Sequence, residues 1–303
     1  MELLEKLCAI RAASGNESAL TTFLLDYIKA HKKQWVSKPK VFSGDGFQDC
    51  IVLVFGKPKT AIFAHLDSIG FNVKYGKELI KIGGPRAESG YNLVGTDHQG
   101  EIECSLKLSE KGEMSYAYKR LIDRGTILTF KPNFRQDKNY VKSPYMDNRL
   151  GVWSALKVAE TLENGIICFS CWEEHGSGSV EFLASFIYKK HKVKQALISD
   201  ITWVTPGVKH GKGVAISMRD SGIPRRSYVN RIIEIAEKSK IPFQIEVEDA
   251  GGSDGNAIQR SPFPIDWCFI GAPEDNVHTP DEKVHRKDID TMVALYKVLM
   301  KEL

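Results

Sequence analysis

Hydrophobic and polar positions alternate along this chain in three textures. Over residues 1–10 and roughly 16–33, apolar side chains recur three and four apart, the spacing of one helix face. Between these stretches Ser14-Gly15-Asn16-Glu17 has the form of a capping box, with Ser14 as the cap and Glu17 reaching back. A turn-rich connection over 42–48 leads to two short apolar runs at 50–55 and 60–64, which predict strands. From 70 to 143 the texture becomes alternation, as in Phe71-Asn72-Val73-Lys74-Tyr75, in 101–107 and in 126–130, broken by glycine turns and without an amphipathic helix. That pattern predicts a small barrel or sandwich with one wet face. Beyond 144 the chain predicts a helix to about 162, a strand buried on both faces over 165–172, and a strand at 196–199. A helix at 228–238, a strand at 243–247, a short helix at 255–259, a strand at 266–270 and a helix from 288 complete it.

Strands near 60, 165, 196 and 266 that alternate with helices argue for an α/β fold: a doubly wound mixed sheet with helices on both faces. The alternating segment then reads as an insertion. Residues 1–70 and 144–303 are expected to form one catalytic domain, and 71–143 an inserted, small β-barrel-like domain.

Composition narrows the function. The chain has 303 residues, 42% hydrophobic and 26% charged, enough for a sizeable core, with no apolar run of membrane-spanning or signal-peptide length. Six scattered cysteines, mostly inside apolar runs, read as reduced, buried thiols, which places the protein in the cytoplasm. The pair Cys168/Cys171 has redox spacing, but within a strand those side chains face opposite sides. Net charge is only +4, and the basic clusters at 29–33 and 189–194 sit where helices end, complementing their dipoles. No nucleic-acid or membrane partner is expected.

The candidate chemistry centres on Glu173 and Glu174, which end the buried strand and run into the glycine turn Gly176-Ser177-Gly178. One acid of such a pair can hold a cation while the other takes a proton from a water beside it. In His65-Leu66-Asp67 the Asp67 carboxylate can accept the proton of one imidazole nitrogen and leave the other as a lone-pair donor. Asp147 stands at a helix entrance, Asp200 after a strand, and His278 in the loop after the last strand. Taken singly these are a solvated strand end, a surface pair, an N-cap and two loop residues. Taken together, most lie at C-terminal strand ends, where doubly wound folds bind their ligands.

His65-x-Asp67, Asp147-Asn148-Arg149-x-Gly151, Glu173-Glu174-x-Gly176, Asp200 and His278 resemble, in order and type, the M42 family of dinuclear metallo-aminopeptidases, within the co-catalytic zinc exopeptidases. The long interval between Asp67 and Asp147 has room for the inserted β module of that family. The related M20 enzymes carry their extra domain later in the chain. The resemblance implies one metal on His65, Asp147 and Asp200 and a second on Asp147, Glu174 and His278, with Asp147 bridging. It implies zinc, with cobalt or manganese as alternatives, a hydroxide bridging the two ions, Glu173 as proton carrier and Asp67 as the support of His65. It further implies removal of N-terminal residues from short peptides, an insert that acts as lid or oligomerisation unit, a homo-oligomer, and a cis peptide after Asp147. Departures from the family pattern fall at Ser68 and at His175-Gly176-Ser177-Gly178. Two other readings keep the same residues: an M20-like deacylase or dipeptidase, and a metal-binding scaffold without catalysis. Arg219, Arg225 and Arg226 are candidates for a pocket that takes an acidic first residue, or else solvated loop arginines.

Overall fold

Two sheets organise the computed structural model, which describes residues 1–176 and 178–303; Ser177, from the glycine turn singled out above, lies outside the described residues. The chain opens with α1 (Glu2–Ala9) and α2 (Ser18–His31). Ser14 does not cap α2. Glu17 holds the N-cap position without a side-chain cap bond, and the Ser14 hydroxyl donates to Asp67 Oδ2 at 2.6 Å. A hydroxyl bonded to an ionised, buried carboxylate gains more than one bonded to a helix N–H, so the carboxylate wins.

Next come β1 (Lys40–Gly44), β2 (Gln48–Phe55) and β3 (Ala61–His65). The stretch expected to be a connection is instead the hairpin of β1 and β2, with Phe42 and Phe47 edge-on to Phe186. Six strands follow: β4 (Gly70–Val73), β5 (Leu79–Ile82), β6 (Asn92–Asp97), β7 (Gly100–Leu108), β8 (Met114–Ala117) and β9 (Ile127–Phe130). They form one antiparallel sheet in the order β5-β4-β9-β6-β7-β8, and a bridge from Glu78 to Ser115 almost closes it into a barrel. Phe71, Leu93, Leu106, Tyr116, Leu128 and Phe130 fill its own core. The strands β10 (Arg135–Gln136) and β11 (Tyr140–Lys142) belong elsewhere: they extend the edge of the larger sheet.

The remainder is α3 (Met146–Ala159), β12 (Gly165–Ser170), α4 (Val180–His191), β13 (Gln195–Trp203), β14 (Val214–Arg219), α5 (Arg226–Ser239), β15 (Phe243–Val247), α6 (Asp254–Arg260), β16 (Asp266–Asp275), β17 (Lys283–His285) and α7 (Arg286–Glu302). The large sheet runs β1-β2-β12-β3-β13-β16-β17-β11-β10, with β14 and β15 branching from β16. Its centre, β12-β3-β13-β16, is parallel and buried on both faces; its flanks are antiparallel. Helices α1, α3, α5 and α7 form one packed group and α4 with α6 another, covering the two faces. The fold is therefore the α/β, doubly wound mixed sheet that periodicity predicts, joined to a nearly closed β-barrel.

Differences of detail matter for the site. β13 reaches Trp203, so Asp200 lies within the strand rather than after it. β14, unmarked by any clear alternation, was not expected. In α3, Asp147 and Asn148 have non-helical backbone angles and the peptide between them is cis, so regular helix starts at Arg149. Gly151 lets that helix press on β13: a Cβ there would meet the Ser199 carbonyl oxygen at 2.1 Å and Asn148 Oδ1 at 2.2 Å. Backbone cannot yield as a flexible side chain can. Gly151→Ala is expected to cost about 1–3 kcal/mol of folding stability in urea unfolding; a variant as stable as the parent would contradict this packing.

Candidate active site

His65 closes β3, and Ser170, its register partner, closes the adjacent parallel strand β12. β13 passes on the other side of β3, so Asp200 comes up beside them. The start of α3 then lays Asp147 across the strand ends. His65 Nε2 lies 3.2 Å from Asp147 Oδ1, 3.5 Å from Asp200 Oδ2 and 4.0 Å from Glu173 Oε2. His278 Nε2 lies 3.3 Å from Asp147 Oδ2 and 3.3 Å from Glu174 Oε2. Asp147 thus turns one oxygen to each imidazole. His65, Asp147 and Asp200 form one group, and Asp147, Glu174 and His278 another, each with donor atoms within 4.8 Å of one another. Glu173 belongs to neither.

A second layer of hydrogen bonds holds these side chains. His65 Nδ1 is 3.1 Å from the Asp67 main-chain oxygen and 3.5 Å from its Oδ1, so the carbonyl is the closer partner and the carboxylate assists. The Asp67 carboxylate has other work: it accepts the N–H of Glu173 at 3.0 Å and of Glu174 at 3.1 Å, together with the Ser14 hydroxyl. The predicted strand stops short of the two glutamates. β12 ends at Ser170, Trp172 takes a left-handed φ of 61°, and the two glutamates sit on a turn that Asp67 fastens.

Residues without an assigned role in the sequence complete the layer. Glu282, wholly buried, accepts the N–H of His278 at 2.9 Å and of Asp147 at 3.3 Å. His278 Nδ1 is 3.1 Å from the Gly84 carbonyl oxygen, on the connection between β5 and β6, which leaves Nε2 facing the acids. The Gly83 N–H donates to Nδ1 of His175, so one departure from the family pattern touches the β5–β6 connection. The buried Arg149 donates to the Leu66 carbonyl and, at 3.4 Å, to that of Asp67. Ser68, the other departure, ties to the Ala12 carbonyl through its N–H and its hydroxyl. Arg149 sits inside a stretch the sequence singles out and Glu282 lies four residues after His278, but charge alone does not say that they bind backbone.

The electrostatics follow from crowding under burial. Burial pushes Glu174 up to about 7 and Asp200 up to about 6, with Asp147 adding to both. Burial also lifts Glu173 well above the usual carboxylate range; His65 opposes this, while Glu174 and Asp200 reinforce it. Asp147 goes the other way: despite burial, His278 and His65 hold it well below that range. The imidazoles gain in turn: against burial, the carboxylates raise His65 well above its ordinary value and His278 to about 12. Glu174 Oε1 is buried with no hydrogen-bond partner among the described residues. Two imidazoles and three carboxylates, one of them with an orphaned oxygen, form a donor set suited to divalent ions of the zinc type.

Known proteins share this arrangement of chain. The family profile of the M42 glutamyl aminopeptidases matches residues 110–295. A protein of Acetivibrio thermocellus, provisionally described as an aminopeptidase, is 27% identical over 97% of this chain and 96% of its own. The lysyl aminopeptidase of Pyrococcus furiosus is 26% identical over 81% of this chain and 82% of its own. Among solved structures, the Pyrococcus horikoshii TET1 peptidase, which can assemble into a tetrahedron or a large octahedral shell, superposes with a TM-score of 0.82 at 23% identity, covering 100% of this chain and 99% of that one.

The Asp67 clamp can be tested without catalysis. Asp67→Asn places an amide where two N–H groups donate, and zinc affinity in calorimetric titration of the metal-free protein is expected to drop ~10–100-fold. Unchanged affinity would show that the clamp does not position the donors.

Proposed function

The chain belongs to the M42 family, and from that premise we propose that it is a metal-dependent aminopeptidase that removes N-terminal residues from short peptides at the site around Asp147. The observation that carries this reading is the sharing of Asp147 between the two donor groups, with Glu173 close by and free of both. His65, Asp147 and Asp200 would hold one ion, and Asp147, Glu174 and His278 the other. Zinc suits that mixed nitrogen and oxygen set, with cobalt or manganese as alternatives. When bound, two such ions lower the pKa of a shared water and polarise the scissile carbonyl.

The protein's own part is the proton. Glu173 sits 4.0 Å from His65 Nε2, and its burial raises its proton affinity well above that of an ordinary carboxylate, the direction a proton carrier needs. It takes a proton from the attacking water and hands it to the amine nitrogen that leaves. Asp67 is a positioning residue in this scheme: it sets the turn that carries Glu173 and Glu174 and props the ring of His65. The acid-rich surroundings favour a substrate with a free, basic N-terminus over an acylated one.

The nearly closed barrel is proposed as a lid and assembly unit on the catalytic domain. Its β5–β6 connection reaches the site, where Gly84 fixes His278, and assembly into a homo-oligomer would draw on the same barrel. The assembling TET1 peptidase supports the oligomer by analogy of fold alone. A cytoplasmic setting belongs to this reading; all six cysteines are free thiols, and no helix among the described residues is long and apolar enough to cross a membrane.

Two measurements test the reading. Glu173→Gln is expected to keep its metal content while kcat drops ~10²–10⁴-fold, as for loss of a proton carrier; an active variant would exclude Glu173 from that role. Free peptides should be hydrolysed and their N-acetylated forms left intact. Preference for the acetylated forms would favour the M20-like deacylase instead.

A further inference from the structure

The cleft continues beyond Asp147, and its far part is acidic. The cavity of about 270 Å³ that receives both imidazoles is also lined by Asp220, Glu246 and Glu248. These acids come from β15 and the segments that follow β14 and β15, elements with no part in the proposed chemistry. No lysine or arginine lines the cavity among the described residues. Arg219, Arg225 and Arg226, considered above for an acidic substrate, are not among its lining residues: Arg219 Nε donates to the Asp220 main-chain carbonyl, and Arg225 is paired with Asp266.

An acidic patch by itself would be a solvated surface. Glu246 is different, because it is only 3% exposed. The Thr202 hydroxyl donates to its Oε1, while its Oε2 is buried and makes no well-formed hydrogen bond among the described residues, with the buried Ser217 hydroxyl of the adjacent strand β14 as its polar neighbour. A buried carboxylate oxygen without a donor is costly, and Glu246 is part of the cavity wall, where a cationic side chain would be its counter-charge. Apolar walls accompany the acids: Trp203, Phe269 and Val277 line the same space, and Trp203 lies 42% exposed over Gly251. A slot with apolar sides and an acidic end fits a long side chain with a hydrocarbon stem and a cationic head. A leucine would bring no donor to the three acids. A glutamate would add like charge to three acids.

We propose that Glu246, with Asp220 and Glu248, selects substrates whose first residue is lysine or arginine. This deepens the aminopeptidase reading and rests on it, since the slot receives a first side chain only if cleavage occurs at Asp147.

The test uses zinc-loaded protein and anilides of lysine, arginine, norleucine and glutamate, norleucine being the uncharged match for the lysine stem. The kcat/KM for lysine is expected to exceed that for norleucine by ~10²-fold, as for a desolvated charge pair, and Glu246→Gln to shrink that ratio at least ~10-fold. Calorimetric binding of lysinamide against norleucinamide runs beside it and needs no turnover. Lysinamide binding ~10-fold tighter than norleucinamide, with no anilide hydrolysed, would keep the slot and overturn the peptidase reading. Hydrolysis of norleucine or glutamate anilide as fast as lysine anilide would overturn the slot and leave the peptidase standing. The comparison of substrates on the unaltered protein decides the matter even if Glu246→Gln does not fold, and Asp220→Asn serves as the second variant.

Discussion

Carboxylates crowded out of water are the constraint on which this structure depends. Asp147, Glu173, Glu174 and Asp200 meet at the ends of buried strands, with Glu282 and Glu274 behind them and two imidazoles between. Two like charges 4 Å apart repel by about 4 kcal/mol at an effective dielectric constant of 20. A cluster of this kind stays folded only by taking up protons or cations. Burial raises the proton affinity of Glu173, Glu174 and Asp200, and the carboxylates raise that of both imidazoles. The same arrangement that makes protons welcome makes divalent cations welcome, and the donor groups around Asp147 divide into two sets of three.

Rigidity for that arrangement comes from backbone. Asp67 spends its carboxylate on two consecutive N–H groups and a hydroxyl, Glu282 spends both its oxygens on the N–H groups of Asp147 and His278, and Arg149 answers two carbonyls from the turn after β3. All of these bonds but the one between His278 and Glu282 join segments far apart in the chain, so the site is assembled mainly by tertiary structure. The β5–β6 connection adds a tie, since Gly84 belongs to the smaller sheet's loops and His278 to the larger sheet's. Motion of one sheet against the other would therefore reach the second donor group before the first.

The parallel centre of the large sheet was legible because strands buried on both faces read as continuous apolar runs, as 165–170 and 61–65 do. The smaller sheet was legible because one wet face forces alternation. Its limit was not, because β10 and β11 are too short to show a period and gain their place only by pairing with β17. The hairpin partner β1 and the strand β14 escaped for a similar reason: half-buried or interrupted strands carry little pattern. Ser14 followed a sound local rule and lost to a distant carboxylate. His65, Asp147, Glu174, Asp200 and His278 were nameable because the order of residue types along the chain matches a family, and the structure brings all five together. Glu246 was beyond reach, since nothing along the chain marks a glutamate in a strand as a buried side chain facing a cavity.

Anomalous diffraction from crystals grown with zinc tests the central claim most directly. Two peaks are expected, one between His65 and Asp200 and one between Glu174 and His278, with an oxygen of Asp147 directed at each. A single peak remote from Asp147, or ions held only at the protein surface, would contradict the account.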